Sequence, residues 1–355
     1  MSECRDRISA MAKIYGDRWR LVRDLGQGGQ AIVCLVEDQR GELPGQYALK
    51  RIRGDGSPKA IQRLRREVDA LKSIDHPGVV RLVDHSLLED IHQFYVMEYV
   101  DGSRPLSKLL SSDSNPFRGS PVLALKFAID ILSALDCCHR QGILHRDLSP
   151  SNILIVSGNM QPRLIDFGLC QIEDGTMVTL LDEGVGTQNY MAPECEAGAE
   201  GVVGPASDIY SVGKLLWAVI CNQNAFSREA LAFQGKKMSL MLPNNEAAWH
   251  LHHVFAATIR HEPTKRARDA SAAIEICRSV LRLIEAGYPP LERLASATCP
   301  YCGFGTMQQF DGSHMVFGNP NPSGIASVQC DNCGYSAPVN FALAHANLKR
   351  RGELT

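Results

Sequence analysis

The stretch HRDLSPSN at 145–152, followed fourteen residues beyond its Asn by DFG at 166–168, sets how the rest of the chain is read. It gathers two carboxylates, Asp147 and Asp166, and one carboxamide, Asn152, into segments whose Ser, Pro, Asn and Gly residues favour turns. Such oxygen groups suit two tasks, taking a proton from a hydroxyl and ligating a hard divalent cation. Asp also caps turns routinely, so either residue alone would read as local structure. The pair in this order and at this spacing favours the chemical reading.

Working outward, 355 residues with 45% hydrophobic content allow one large domain with a small one, or two to three average domains. Thirty-seven basic and 39 acidic residues leave a net charge of −2, which supplies no global attraction to nucleic acid or to an anionic membrane. The opening MSECRDRISAMAKIYGDRWR carries charges throughout and no apolar run of signal-peptide length. The longest apolar stretch, Leu215 to Cys221, is far too short to span a bilayer. A cytoplasmic location is therefore expected. Of twelve cysteines, eight are scattered and four form two CxxC pairs near the end, a split that fits a reducing compartment with one metal site.

Upstream, RWRLVRDL at 18–25 and AIVCLVED at 31–38 read as strands joined by the glycine turn GQGGQAIV at 26–33. Gly26 and Gly28 would let the backbone approach a phosphate that a Cβ would repel, although a plain hairpin turn would look the same. No helix follows these glycines directly, which excludes a dinucleotide-binding turn. QYALK at 46–50 is a short strand ending in Lys50. In KAIQRLRREVDALKSI at 59–74 the apolar residues Ile61, Leu64, Val68, Leu71 and Ile74 recur at spacings of three and four, which predicts an amphipathic helix. Glu67 lies beside its apolar face and is placed to reach inward to Lys50. HPGVVRLVDHSL and QFYVMEYVDG predict two more strands, and Leu125, Ala128, Ile129, Leu132 and Leu135 mark a helix that delivers the chain to residue 145.

Taken together, these stretches resemble a eukaryotic-type (Hanks-type) Ser/Thr protein kinase of the bacterial kind over roughly residues 17–285. The resemblance implies an α+β, two-lobed fold with a small β-rich lobe at 17–97 and a large helical lobe at 101–285, preceded by an extension at 1–16. It implies that Asp147 takes or orients the proton of the acceptor hydroxyl. Lys50, oriented by Glu67, would contact the phosphates of ATP, with Asn152 and Asp166 holding Mg²⁺ or Mn²⁺. Met97 would be the gatekeeper, the backbones of Glu98 and Val100 would meet the adenine edge, and Leu25, Val33, Ala48 and Leu154 would sandwich the ring. GTQNYMAPE at 186–194 resembles the end of a Ser/Thr-type activation segment, Asp208 the residue that ties the catalytic-loop backbone, and Arg266 the late arginine that pairs with Glu194. Thr176 and Thr179 would be autophosphorylation sites, with Arg146 available to a loop phosphate. Protein substrates are implied, the chain itself among them, as is a cognate phosphatase.

Two features depart from or extend this pattern. The usual HRDLKPxN carries a Lys where this chain has Ser149, a lost cation that costs on the order of a few kcal/mol where charge develops in transfer. That loss keeps a second reading open, a nucleotide-binding scaffold without transfer. After a linker at 286–298, CPYCG at 299–303 and CDNCG at 330–334 stand 26 residues apart. Cys299, Cys302, Cys330 and Cys333 in this spacing point to a tetrahedral structural Zn²⁺ in a small β module at 299–340 that resembles a zinc ribbon. A redox CxxC is the competing reading. Residues 299–340 hold no Lys or Arg, which disfavours a third reading as a nucleic-acid-binding regulator. Only the tail at 341–355 is basic, through Lys349, Arg350 and Arg351.

Overall fold

The computed structural model describes residues 13–27, 31–53, 57–87, 93–110, 112–167, 187–196, 202–227, 237–287, 290, 307–309, 326–330 and 336–339. Its first part is an antiparallel sheet of β1 (Ile14–Tyr15), β2 (Trp19–Gln27), β3 (Ala31–Asp38) and β4 (Gln46–Ile52), with helix α1 (Pro58–Ser73) followed by β5 (Leu82–His85) and β6 (Phe94–Glu98). The strands run in the order β1-β2-β3-β4-β6-β5. Side chains alternate between the two faces of a strand, and the register assigns each residue to one. Ile32, Cys34, Val36, Leu49, Phe94 and Val96 pack with Tyr15 and Trp19 into one apolar cluster. The opposite face carries Val33 and Ala48, then Lys50 paired with Tyr95, and Met97 paired with Ala48. Leu25 falls within an irregularity of the β2–β3 register, between Asp24 and Gly26.

Helix α1 starts where Ser57 caps it, its Oγ accepting the Ala60 N–H at 3.2 Å ahead of Pro58 in the first turn. The helix ends as Ile74 turns extended. Its buried residues, Leu64, Glu67, Val68, Ala70 and Leu71, form one face, so a carboxylate shares the apolar side. Past the helix, the Leu164 N–H donates to the Gly78 carbonyl at 2.8 Å and the Val80 N–H to the Leu164 carbonyl at 3.1 Å. These bonds stitch the strand leading into Asp166 to the segment that follows α1.

A second, small sheet has the order β7-β8-β9, from β7 (Ser103–Pro105), β8 (Ile153–Val156) and β9 (Pro162–Leu164). The helices are α2 (Leu106–Leu109), α3 (Pro121–Arg140), α4 (Pro205–Cys221), α5 (Met238–Met241), α6 (Glu246–Trp249), α7 (His252–Thr258) and α8 (Ala270–Glu285). Contacts group the chain into two compact units: residues within 1–104, 137–147 and 154–178 form one, the remainder the other. Asp147 and Asp166 thus belong to the sheet unit and Asn152 to the helical unit. β1 begins inside the stretch read from sequence as an extension. At two residues it is too short for a period to show.

In the helical unit, α4 is buried at every position from Ser207 to Ile220, so it takes in the polar Ser207, Asp208, Ser211 and Lys214 as well as the apolar run that starts at Leu215. It ends at Asn222 in the left-handed conformation, φ 53°, where the Asn222 Nδ2 donates to the Ser112 carbonyl at 3.0 Å. Gly213 faces α7, where a Cβ would run into the side chains of Thr258 and Ile259. Arg266 fastens onto Glu194 through a buried ion pair. Two parallel bonds of 2.6 and 2.8 Å join guanidinium and carboxylate. Arg266 also donates to the carbonyls of Ala206, Arg260 and His261, and the Ser207 hydroxyl donates to Glu194 at 2.7 Å. Every charge in this pair is compensated, the condition under which a buried ion pair is tolerated. Among the described residues of the C-terminal stretch, β10 (Met307–Gln309), β11 (Ala326–Cys330) and β12 (Ser336–Val339) form an antiparallel sheet in that order.

Two stability measurements follow from this packing. Gly213→Ala is expected to lower unfolding free energy by about 1–3 kcal/mol, the usual cost of forcing atoms into a filled interior, in a urea titration. Burial raises the Glu194 pKa, but hydrogen bonds from Arg266 and Ser207 outweigh it and leave the carboxyl below its ordinary value. A depressed acid stabilises the fold above its unfolded value and loses that contribution as pH falls through the folded one. Glu194→Gln should therefore cost about 3 kcal/mol at neutral pH. That gap should close on acidification below about 4.5, read from urea midpoints across pH.

Candidate active site

Two carboxyls of the sheet unit, Glu67 and Asp166, converge on Lys50. Its Nζ lies 3.0 and 2.9 Å from the two oxygens of Glu67 and 2.9 Å from Oδ1 of Asp166. Helix α1 brings Glu67 here because its carboxylate sits on the face that packs inward, and the side chain is only 2% exposed. Glu67 Oε1 also accepts from the Tyr95 hydroxyl at 2.7 Å and from the Phe167 N–H at 3.1 Å. The β4–β6 register supplies the first of these, since Tyr95 is the cross-strand partner of Lys50.

One ammonium faces two carboxyls here, and the charge of Arg63 also acts on Asp166. Burial pushes the Glu67 carboxyl up to about 7, with Asp166 adding to the rise and Lys50 opposing it. Burial also acts against the charged forms of Lys50 and Asp166, but the pull of Asp166 and Glu67 on Lys50, and of Lys50 and Arg63 on Asp166, outweighs it. Lys50 ends above the ordinary lysine value and Asp166 well below the ordinary aspartate value. The Asp166 side chain keeps 34% exposure, so it is a committed anion with an outward oxygen. Such an outward carboxylate oxygen is the kind of ligand a hard divalent cation takes.

Backbone strain accompanies these groups. Arg146 and Asp166 adopt φ of 64° and 63°, values that non-glycine residues adopt rarely and at a cost of about 1–3 kcal/mol. His145, wholly buried, packs against Phe167 with ring centroids 4.7 Å apart and the rings tilted by 42°. Asp147 is half-buried two residues beyond it. In the helical unit, Pro150–Asn152 forms a 3₁₀ turn in which the Asn152 N–H donates to the Ser149 carbonyl at 3.0 Å. Ser149, where the resemblance expects a cation, is buried.

Of the residues expected around an adenine ring, Val33, Ala48 and Met97 share the Lys50 face of the sheet, and Leu154 lies in β8. The Glu98 N–H donates to the Arg81 carbonyl at 2.9 Å, and the Val100 carbonyl accepts from Ser103. A Cβ at Gly26 would meet nothing within 4 Å, so packing does not demand a glycine there. Gly28, Thr176, Thr179, Cys299, Cys302 and Cys333 lie outside the described residues, and Cys330 is described only as the last backbone position of β11. Tyr95 escaped the sequence reading. A Tyr inside an apolar strand is an ordinary β-former, and only its burial opposite Lys50 requires a partner for the hydroxyl.

A β-sheet lobe carrying a Lys–Glu–Asp cluster, followed by helical elements closed by an Arg–Glu pair, is the architecture of a protein kinase. The protein kinase domain family model matches residues 19–284, and the chain belongs to that family. It is 32% identical over 236 residues to the "Probable serine/threonine-protein kinase PknB" of Lactococcus lactis, covering 66% of this chain and 36% of that protein. It is 33% identical over 223 residues to the "Serine/threonine-protein kinase PrkC" of Bacillus subtilis, covering 62% and 33%. The chain thus spans about a third of the length of these curated relatives. In fold it is similar to the PknI kinase domain of Mycobacterium tuberculosis, with TM-score 0.57 at 24% identity over 76% of this chain and 98% of that one.

Proposed function

We propose that the chain is a Ser/Thr protein kinase of the bacterial Hanks type, transferring the γ-phosphate of ATP to protein hydroxyls. The observation that carries this reading is the Lys50–Glu67–Asp166 cluster, with Lys50 held by Glu67 at 2.9 Å and facing Asp166 at the same distance. In this reading Lys50 binds the α- and β-phosphates, and Glu67 fixes the lysine's direction. Asp147 receives or orients the acceptor proton, and the open space at Gly26 admits the phosphates. Asn152 and Asp166 are the residues that would hold Mg²⁺ or Mn²⁺, which when bound neutralises the crowded phosphate oxygens. The adenine would lie on the face of Val33, Ala48 and Met97 under Leu25 and Leu154, met by the backbones of Glu98 and Val100.

Ser149 favours the second reading, a nucleotide-binding scaffold, because no cation stands at that position. The retention of Lys50, Glu67, Asp147, Asn152 and Asp166 together favours transfer. The test is label transfer from ATP with Mg²⁺ to the protein itself and to a basic protein. Wild type is expected to label Ser or Thr, and Asp147→Asn and Asp166→Asn to lose at least a hundredfold. ATP binding without label above these variants would establish the scaffold.

The remaining assignments are proposals of the same kind. Substrates are proteins, with Thr176 and Thr179 as candidate self-modified sites near Arg146, and a phosphatase would reverse the reaction. Nucleic acid is not an expected partner. Among the described residues no helix is long and apolar enough to cross a membrane, and six cysteines stand as free thiols, which fits a reducing, cytoplasmic setting. Cys299, Cys302, Cys330 and Cys333 would hold one structural Zn²⁺. Among the described residues there is no group of three or more metal-ligating side chains, and three of these four cysteines fall outside them. The antiparallel strands β10 to β12, with Cys330 at a strand end, support the module. Metal analysis of the purified chain is expected to find about one Zn per chain, lost in a Cys299→Ser, Cys302→Ser double variant.

A further inference from the structure

The Glu67 carboxylate has more holders than an orienting partner of Lys50 requires. Lys50 contacts both of its oxygens, yet Oε1 also takes the Tyr95 hydroxyl at 2.7 Å, the shortest of its bonds, and the Phe167 N–H at 3.1 Å. Tyr95 is wholly buried in a central strand, between β4 and β5, and its Cα is registered against Lys50. The Lys50 ammonium lies 5.8 Å from the Tyr95 ring centroid, so ring and hydroxyl touch both members of the ion pair. A phenol in this place has no other described acceptor, and a buried hydroxyl must find one.

The bond differs in kind from the Lys50 contact. Lys50 ends a flexible four-carbon stem that also serves Asp166, and in the proposed kinase it would serve phosphates as well. Tyr95 sits in a strand paired on both sides, opposite Lys50 in β4 and His85 in β5, and its side chain turns about far fewer bonds than the lysine stem. We infer that Tyr95 is a positioning residue that pins helix α1 to the sheet through Glu67, holding the helix inward independently of what Lys50 engages. A hydrogen bond to a charged group shifts such an equilibrium by on the order of tenfold or more. This inference rests on the kinase reading for its catalytic consequence, and on geometry alone for the pinning.

The test uses the full chain and Tyr95→Phe, which removes one oxygen and leaves Glu67 its bonds from Lys50 and Phe167. Tyr47→Phe is the control, since that hydroxyl donates to the Pro44 carbonyl at 3.0 Å, away from the cluster. Amide hydrogen exchange is expected to speed up about tenfold across Pro58–Ser73 in Tyr95→Phe, with Pro205–Cys221 unchanged. The phosphate-transfer kcat should fall by about tenfold with the ATP KM within twofold. Tyr47→Phe should match wild type in both. Wild-type exchange across α1 in Tyr95→Phe would overturn the inference, as would faster exchange in α1 and α4 alike, which marks a general loss of stability. If the wild type transfers no phosphate, the kinase reading fails and the exchange result alone still decides the pinning.

Discussion

Three charges share one partly buried position, and much of the sheet unit is arranged around keeping them there. Isolated ions of this kind cost several kcal/mol each to desolvate, and they persist only where geometry compensates. Lys50 divides its charge between Glu67 and Asp166, and Arg63 adds to the field at Asp166. A phenol and a backbone N–H also hold Glu67, and Asp166 keeps residual exposure. The arrangement depends on the β4–β6 register, on the inward face of α1, and on a strained backbone at Asp166. A one-residue slip of β4 would send Lys50 into the apolar cluster of Tyr15 and Trp19.

The helical unit solves a similar problem differently. Glu194 and Arg266 are both nearly sealed from solvent, and the guanidinium spends its remaining donors on three carbonyls. This pair is electrically closed and serves as a fastening. The Lys50 cluster is electrically open, with an anion at its edge. That contrast separates a closed structural ion pair from a cluster with an outward-facing anion.

Much of this was legible in the sequence, for reasons that can be traced residue by residue. The three- and four-residue spacing of Leu64, Val68 and Leu71 placed Glu67 beside the apolar face of a helix, where it now binds Lys50. The turn residues around Asp147 and Asp166 marked loops. The pairing of Arg266 with Glu194, 72 positions apart, was legible only through family resemblance, because no local period links them. β1, with two residues, and β7 and β9, with three each, were too short to show a pattern. Tyr95 was hidden by its own suitability for a strand, since its role depends on which residue the neighbouring strand sets opposite.

The Phe167 N–H that donates to Glu67 belongs to the peptide immediately after Asp166. The carboxylate on α1 therefore senses the backbone conformation of the segment that carries the outward anion, and β9 is stitched to the chain just past the same helix. Thermodynamic linkage would run both ways: a ligand that bound Asp166 more tightly with the helix inward would favour the inward helix by the same factor. One amide is thus the direct link between the backbone that carries Asp166 and helix α1.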